Sequence, residues 1–485
     1  MTGKHKIAVP SIWTPETIAE WVDTQLMMSK RQYETTGCAR SVSFRALCSH
    51  WPWAKRSDVF THLAHRYPAK LLAYIPIFML SGSYASSEDI VLDPFAGTGT
   101  VLLESLTHPH FSRTCYGVEI SPLARLIAKV KTTPLNPELL RSEADYLYSL
   151  IKQFQGKPDV AEFPNRDFWF RKKVQADLAR VITCIDRMDA LPAVRDFFRV
   201  CLSSIIRDLS WADPKVAPPV KLNSAKFPRQ QRDTIERLIA KKSGASVLIY
   251  FRAAVEKNIA RMSKLFSAVS LLGPNTSAEI IWDDARSVRK GRYIENGEID
   301  KNNSTKLDGK VGLVITSPPY INAQKYIRTT KFELWWLNLE TEKSLPELDK
   351  QMIGTERVYF DEYKELMPVE NKKADQLLKS IFKKSRERAA IVSRYFREMR
   401  EVMATGHRLL KPGGYFVLVV GDNTVTDKTV RNHEILAEIA QEKGRFTLES
   451  ILVDSIRSRG LITKRHETAG VIPEEWVLVL KKQTG

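Results

Sequence analysis

The stretch that most limits what this chain can fold into is IVLDPFAGTGTVLLE, residues 90–104. A short β-branched run ends in Asp93, two glycines (Gly97 and Gly99) make a turn, and an apolar helical period starts at once. Passing from strand to helix through so tight a turn belongs to a parallel sheet with helical crossovers. Glycine there lets the backbone approach a ligand closely, and the helix start presents free N–H groups. The alternative is a generic strand–turn–helix or a dinucleotide turn, but Leu102 occupies the third glycine position of G-x-G-x-x-G. A phosphate loop is missing too: GDNTVTDKT, residues 421–429, lacks the second glycine. A site for a nucleoside-bearing cofactor fits best, with Asp93, Pro94, Phe95, Ala96, Gly97, Thr98, Gly99 and Thr100 as its loop.

Further β-branched runs at 115–120, 279–282, 312–315, 415–420, 448–453 and 476–480 join the one at 90–92, which predicts about seven strands. Their spacing is uneven. Between the second and third lies a segment, 133–275, that reads mainly helical, apart from a loop at 212–222 where Pro218 and Pro219 forbid helix. A second interruption, 339–390, is highly charged, balanced in sign and helical in pattern. The division expected is therefore an N-terminal extension (1–59), a cofactor-binding half (60–132), the helical insert (133–275), a catalytic half (276–338), the charged insertion (339–390) and the last strands (391–485). The extension mixes helix and loop, with Trp51 and Trp53 ahead of a basic step, Lys55 and Arg56.

Composition narrows the function. The 485 residues carry a net charge of +18, which favours a polyanionic partner, and nucleic acid is preferred because no strongly amphipathic basic helix stands out. Half of that excess sits in fifty residues. From 215 to 264 there are twelve Lys or Arg against three Asp or Glu, a net +9. Lys215, Lys221, Lys226, Arg229, Arg232, Lys241 and Lys242 are the expected nucleic-acid contacts, the alternative being a solvated basic helix face. At 43% hydrophobic residues the chain is globular rather than disordered, and its apolar runs are too short to span a bilayer. The five cysteines show no C-x-x-C spacing, so neither a zinc site nor a disulfide scaffold is expected. The amino terminus lacks an apolar stretch with a cleavage site, which points to a cytoplasmic protein.

Three further clusters carry chemistry. Glu119, about twenty residues past the glycine turn at the tip of the second strand, stands where an acid accepts both ribose hydroxyls, with Ile120 beside it. Asp283 and Asp284 end the third strand, where either can accept from an adenine amino group; Asp283 equally suits a helix N-cap, and Asp284 is preferred. The fourth strand delivers Thr316-Ser-Pro-Pro-Tyr320. Pro318 and Pro319 hold the backbone rigid, carbonyl groups and the Ser317 hydroxyl accept from an amine, and Tyr320 offers a face for a base taken out of its helix. A proline-rich turn with a structural tyrosine is the plainer reading.

With these motifs in place, the chain resembles the amino-methyltransferase branch of S-adenosylmethionine-dependent DNA methyltransferases. Asp93 to Gly99 is similar to that family's cofactor loop, Glu119 to its ribose acid, and Asp284-Ala-Arg286 to its strand-three acid, although Asp283 stands where glycine is common. Thr316 to Tyr320 resembles its catalytic tetrapeptide in the Ser-Pro-Pro-Tyr form of cytosine-N4 enzymes. His65-Arg-Tyr67-Pro68-Ala-Lys70 resembles the segment that closes over methionine, and residues 321–328 with Trp335 and Trp336 resemble the helix after the catalytic loop. Residues 410–422 resemble the fifth strand. The likeness covers roughly 60–131, 276–338 and 391–485. It implies an α/β, Rossmann-like, seven-stranded methyltransferase sheet carrying a mainly helical target-recognition insertion at 133–275. S-adenosylmethionine is the implied cofactor and double-stranded DNA the implied partner, with any restriction endonuclease a separate chain.

The resemblance also implies the chemistry: direct methyl transfer to the N4 amine of a flipped cytosine, with Ser317, Pro318, Pro319 and Tyr320 at the centre and no metal. A thiolate route to carbon-5 needs a cysteine after a proline, and none of the five cysteines has one. The alternatives are an adenine-N6 DNA enzyme, an RNA guanine-N2 enzyme, and an inactive DNA-binding protein of the same fold. Intact Gly97, Gly99, Ser317 and Tyr320 argue against the last.

Overall fold

The structure is a computed structural model that describes residues 10, 12–51, 53–54, 60–68, 70–272, 276–288, 307–321, 326–455 and 474–484, with the backbone of 293–295 and 298–300. Lys55, Arg56, Ala69 and the stretch 322–325 lie outside the described residues.

The expected runs all form strands, and they join one eight-stranded sheet: β1 (Arg40–Val42), β2 (Ile90–Asp93), β3 (Cys115–Val118), β4 (Ala278–Trp282), β5 (Val311–Thr316), β6 (Leu410–Val420), β7 (Phe446–Ser455) and β8 (Glu474–Lys482). The order across the sheet is β1-β7-β8-β6-β5-β2-β3-β4. The expectation of seven strands is one short. β1 has only three residues, too few to show alternation, and pairs in parallel with the edge of β7. β8 runs antiparallel to both its neighbours, and the remaining pairs are parallel. This mostly parallel α/β sheet fits the methyltransferase fold expected above.

Both faces of the sheet are covered, as parallel sheets require. Val91, Leu313, Ile315, Val417 and Val419 point to a core shared with the N-terminal helix Pro15–Thr36 and the helix Tyr74–Leu80. Their alternates Leu92, Val314, Leu418 and Val420 point to the opposite core, closed by the helices Arg386–Leu409 and Asn432–Gln441. That period of two is what a strand buried on both faces produces.

Between β3 and β4 the chain is helical, chiefly Pro137–Gln153, Lys172–Arg187, Pro192–Leu209, Arg229–Ser243 and Val247–Ser270. These helices do not build a separate core. Phe163, Phe170, Phe198 and Phe251 share one cluster with Leu123 and Ile127 of the helix Pro122–Thr132 and with Phe332 and Trp336 of the helix Tyr326–Trp336. The exception is Arg229–Ser243, where only Ile235 and Lys242 are buried. No helix among the described residues is long and apolar enough to cross a membrane.

Candidate active site

Strand order reverses beside β2: β3 and β4 follow on one side, β5 and β6 on the other. Ligands of open α/β sheets bind at such a switch point, beyond the carboxyl ends of the strands. A cleft of about 660 Å³ lies there, and it brings together Tyr67, Pro94, Phe95, Gly97, Glu119, Ile120, Asp283, Asp284, Ser317 and Pro319. Those ten expected residues come from five separate stretches of chain.

Gly97 and Gly99 hold the turn with φ of 52° and 72°, a region that favours glycine. At Gly99 a Cβ would also stand 3.1 Å from that of Ala128, so the helix Pro122–Thr132 packs directly on the loop. Glu119 fixes the loop from the other side. One carboxylate oxygen accepts the Gly97 N–H at 2.8 Å, and the other accepts the Ser121 N–H at 2.7 Å. A carboxylate oxygen has two acceptor positions, so each keeps one after these bonds. Burial raises the Glu119 carboxyl above its ordinary range, against the pull of those N–H groups and of Arg125.

Asp93 ties the two halves of the site together instead of lining the cleft. Its Oδ1 accepts the Thr316 hydroxyl at 2.6 Å and the Phe95 N–H at 3.1 Å. Burial pushes this carboxyl up to about 7. Ala96, Thr98 and Thr100 are likewise buried behind the loop, the Thr98 carbonyl accepting from Lys131 Nζ at 2.7 Å.

Asp284, the preferred acid, is already engaged. Arg286 donates to it from its backbone N–H and Nε, both at 2.9 Å, and from a terminal nitrogen at 3.1 Å. Arg286 also reaches Glu398 at 2.7 Å. Asp283 has no hydrogen-bond partner among the described residues and lines the same cleft, so it is the freer acceptor.

From the loop after β5, Ser317 and Pro319 reach the cleft while Pro318 is buried. The Tyr320 hydroxyl donates to Glu475 Oε1 at 3.3 Å, and burial raises the Glu475 carboxyl to about 7. Of the upstream segment only Tyr67 lines the cleft. His65 is buried away from it, pushed down to about 3 by burial and then by the Lys70 charge, so its ring is neutral. Lys70 donates to the carbonyls of His62 and His65, both at 2.8 Å, and Pro68 is half-buried.

Lys215, Lys221, Lys226, Arg229, Arg232 and Lys241 are all exposed, as phosphate contacts must be. Lys242 is a correction. It is 5% exposed, and its ammonium donates to the carbonyls of Asp208 and Ser210 at 2.8 Å each, satisfying the end of the helix Pro192–Leu209. Burial lowers it to about 8. A side chain so engaged is a structural tether, not a phosphate ligand.

Sequence reasoning missed Gln351, Met352 and Ile353, which line the cleft from the charged insertion, and Glu475. The apolar–glycine break Met352-Ile-Gly354 inside a charged stretch is the signal that could have found the first group. Among the described residues no cluster of His, Cys, Asp or Glu could hold a metal ion.

The buried Asp93 carboxyl has a measurable consequence. With its folded value raised to about 7, the folded state holds a proton that the unfolded chain has released. The associated stability is present below the ordinary carboxylate range and is lost as pH climbs to about 7. Relative to Asp93→Asn, the parent protein should therefore lose stability from about pH 4 to about pH 7 and level off above. Denaturant unfolding of both proteins at several pH values checks this; a parent that gains on the variant across that window contradicts it.

No protein-family model matches the chain. It is similar to the Type II methyltransferase M.MvaI of Kocuria varians, 25% identical over 403 residues that cover 78% of this chain and 80% of that protein. It is also similar to the Type II methyltransferases M.AvaI of Nostoc sp. and of Anabaena variabilis, each 24% identical over 387 residues, 75% of this chain and 74% of those proteins.

Proposed function

We propose that this chain is a site-specific DNA methyltransferase that carries the methyl group of S-adenosylmethionine to the N4 amine of a flipped cytosine, within a restriction-modification or related bacterial defence system. The observation that carries the reading is the Asp93–Thr316 bond, which fixes the Ser-Pro-Pro-Tyr loop against the glycine loop at one cleft. The likeness to Type II methyltransferases over three quarters of the chain supports it.

The cleft suits the cofactor. The acidic wall (Glu119 and Asp283) accepts hydroxyl and amino hydrogens, and Pro94, Phe95, Val118 and Ile120 make an apolar bed for a flat ring. When bound, S-adenosylmethionine supplies an electrophilic methyl group. The residues of the chain then orient its acceptor. A cytosine amine is a poor nucleophile because its lone pair is delocalised into the ring. The Ser317 hydroxyl and a carbonyl of the Pro318–Pro319 turn, which reaches the cleft at Pro319, accept the two amine hydrogens and favour a tetrahedral nitrogen. Alignment supplies much of the rate. With the amine held by Ser317 and the Pro318–Pro319 turn, its nitrogen would take the methyl group that the cofactor supplies, leaving a neutral thioether, and the surplus amine proton would pass to water. Incubating the protein with labelled cofactor and, in parallel, duplex DNA or RNA, then digesting to nucleosides, tests the reading. Label on N4-methylcytosine is expected, label on N6-methyladenine moves the choice of base, and label only in RNA overturns the DNA assignment.

Flipping a base costs a few kcal/mol and needs contacts to the duplex in return. The helix Arg229–Ser243 and the loop before it supply exposed cations for this. Replacing Arg229, Arg232 and Lys241 together by alanine should weaken DNA binding and reduce the slope of log affinity against log salt by up to about 3. Lys242→Ala should instead lower the melting temperature and leave that slope unchanged. Salt titrations of DNA affinity distinguish the two; equal slopes in parent and triple variant would move the DNA surface elsewhere.

A further inference from the structure

A second, smaller cleft of about 380 Å³ lies beside the first. The two meet at Pro319, Tyr326, Met352 and Ile353. One wall is the Ser-Pro-Pro-Tyr loop, represented by Pro319 and Tyr320; the other is residues 349–356 of the charged insertion.

That second wall is built, not draped. Arg286 donates to the Gln351 carbonyl at 3.1 Å and Arg394 to the Lys350 carbonyl at 2.8 Å. Asp349 pairs with Arg357 at 2.8 Å and Glu356 with Arg388 at 3.3 Å. Gly354 brings the segment close to the catalytic loop. Its φ is 78°, and a Cβ there would stand 3.5 Å from the Tyr320 carbonyl oxygen and 3.6 Å from Pro319 Cβ.

The lining selects the occupant. Two aromatic rings, Tyr320 and Tyr326, favour a flat heterocycle. Asp349 and Glu356 are each paired with an arginine and Arg328 lines the cleft beside them, so the charges of the lining are close to balanced, and the cleft opens into the larger one. We propose that residues 349–356 form the outer wall of the acceptor-base pocket, so that the charged insertion sets which nucleobase reaches Ser317. This rests on the methyltransferase reading above and adds to it a role for a segment outside the resembling regions.

The test is to fill the pocket from its outer wall. Asparagine tolerates the left-handed backbone of Gly354 and adds volume toward Tyr320, so Gly354→Asn obstructs the pocket with little strain. Transfer to duplex DNA should fall by about 30-fold or more, since a misplaced acceptor loses alignment. Affinity for S-adenosylmethionine should stay within about twofold. Once the methylated base has been located, binding to a duplex with an abasic site at that position should match the parent, because no base has to be seated. If the melting temperature shows that Gly354→Asn does not fold, Gly354→Ala adds only the Cβ and should lower transfer by about threefold or more. Transfer at the parental rate by the folded variants overturns the inference, and so does an equal loss of cofactor binding. A parent that methylates no DNA sinks the proposed function itself, whereas an active parent with equally active glycine variants sinks only the wall.

Discussion

Ser317→Ala should lower turnover by about 100-fold or more while affinity for S-adenosylmethionine changes by less than about twofold. Ser317 lines the larger cleft together with Pro319, at which the two clefts meet, and makes none of the bonds that hold the glycine loop to Glu119. Its removal leaves the acceptor amine with one hydrogen-bond partner in place of two, so the lone pair is neither freed from the ring nor aimed. The loop itself should survive, because Thr316 holds it to Asp93 and Phe95 one residue earlier. Single-turnover transfer and calorimetric cofactor titration separate the two quantities. Parallel losses would reassign Ser317 to cofactor binding.

Glu119→Ala is expected to reverse that pattern, with cofactor affinity falling by about 100-fold or more. The substitution removes an acceptor for the ribose and leaves the N–H groups of Gly97 and Ser121 without the carboxylate they now meet at 2.8 and 2.7 Å. Hydrogen bonds to a charged group are worth about 1.5–3 kcal/mol each, so the loop loses its shape along with the ligand contact. Glu119→Gln keeps one good acceptor and should fall between, at about tenfold. Duplex binding at low salt should persist in both, because the exposed cations lie on another part of the chain. Undiminished cofactor binding by Glu119→Ala would mean that the ribose is held elsewhere.

The strands at 90–93 and 311–316 were legible because each is a compact β-branched run that ends in a chemical signature. Glu119 was legible for the same reason. β1 was not, since three residues carry no period and their pairing with Leu452 to Asp454 comes from position in the fold. The acid at the end of β4 shows a subtler limit. Asp283 and Asp284 are equivalent as letters, and only the folded Arg286 separates them by occupying one. Lys242 and Lys241 differ in the same way: one step along a helix turns an exposed cation into a buried cap. Met352 and Ile353 reach the cleft from more than thirty residues beyond Ser317, and Glu475 reaches Tyr320 across 155. Local pattern cannot register contacts of that span.

The sparse anchoring of the helix Arg229–Ser243 bears on how such a protein can change over generations. Ile235 and Lys242 are its buried residues, Leu238 and Ile239 are half-buried, and the other side chains meet solvent. Exposed substitutions of this kind shift stability by no more than about 0.5 kcal/mol either way. The face proposed to meet DNA can therefore vary at little cost in stability, while the glycine loop, Asp93 and Thr316 stay under the constraints of a packed interior. If the helix reads DNA as proposed, recognition can diversify here without putting the fold at risk.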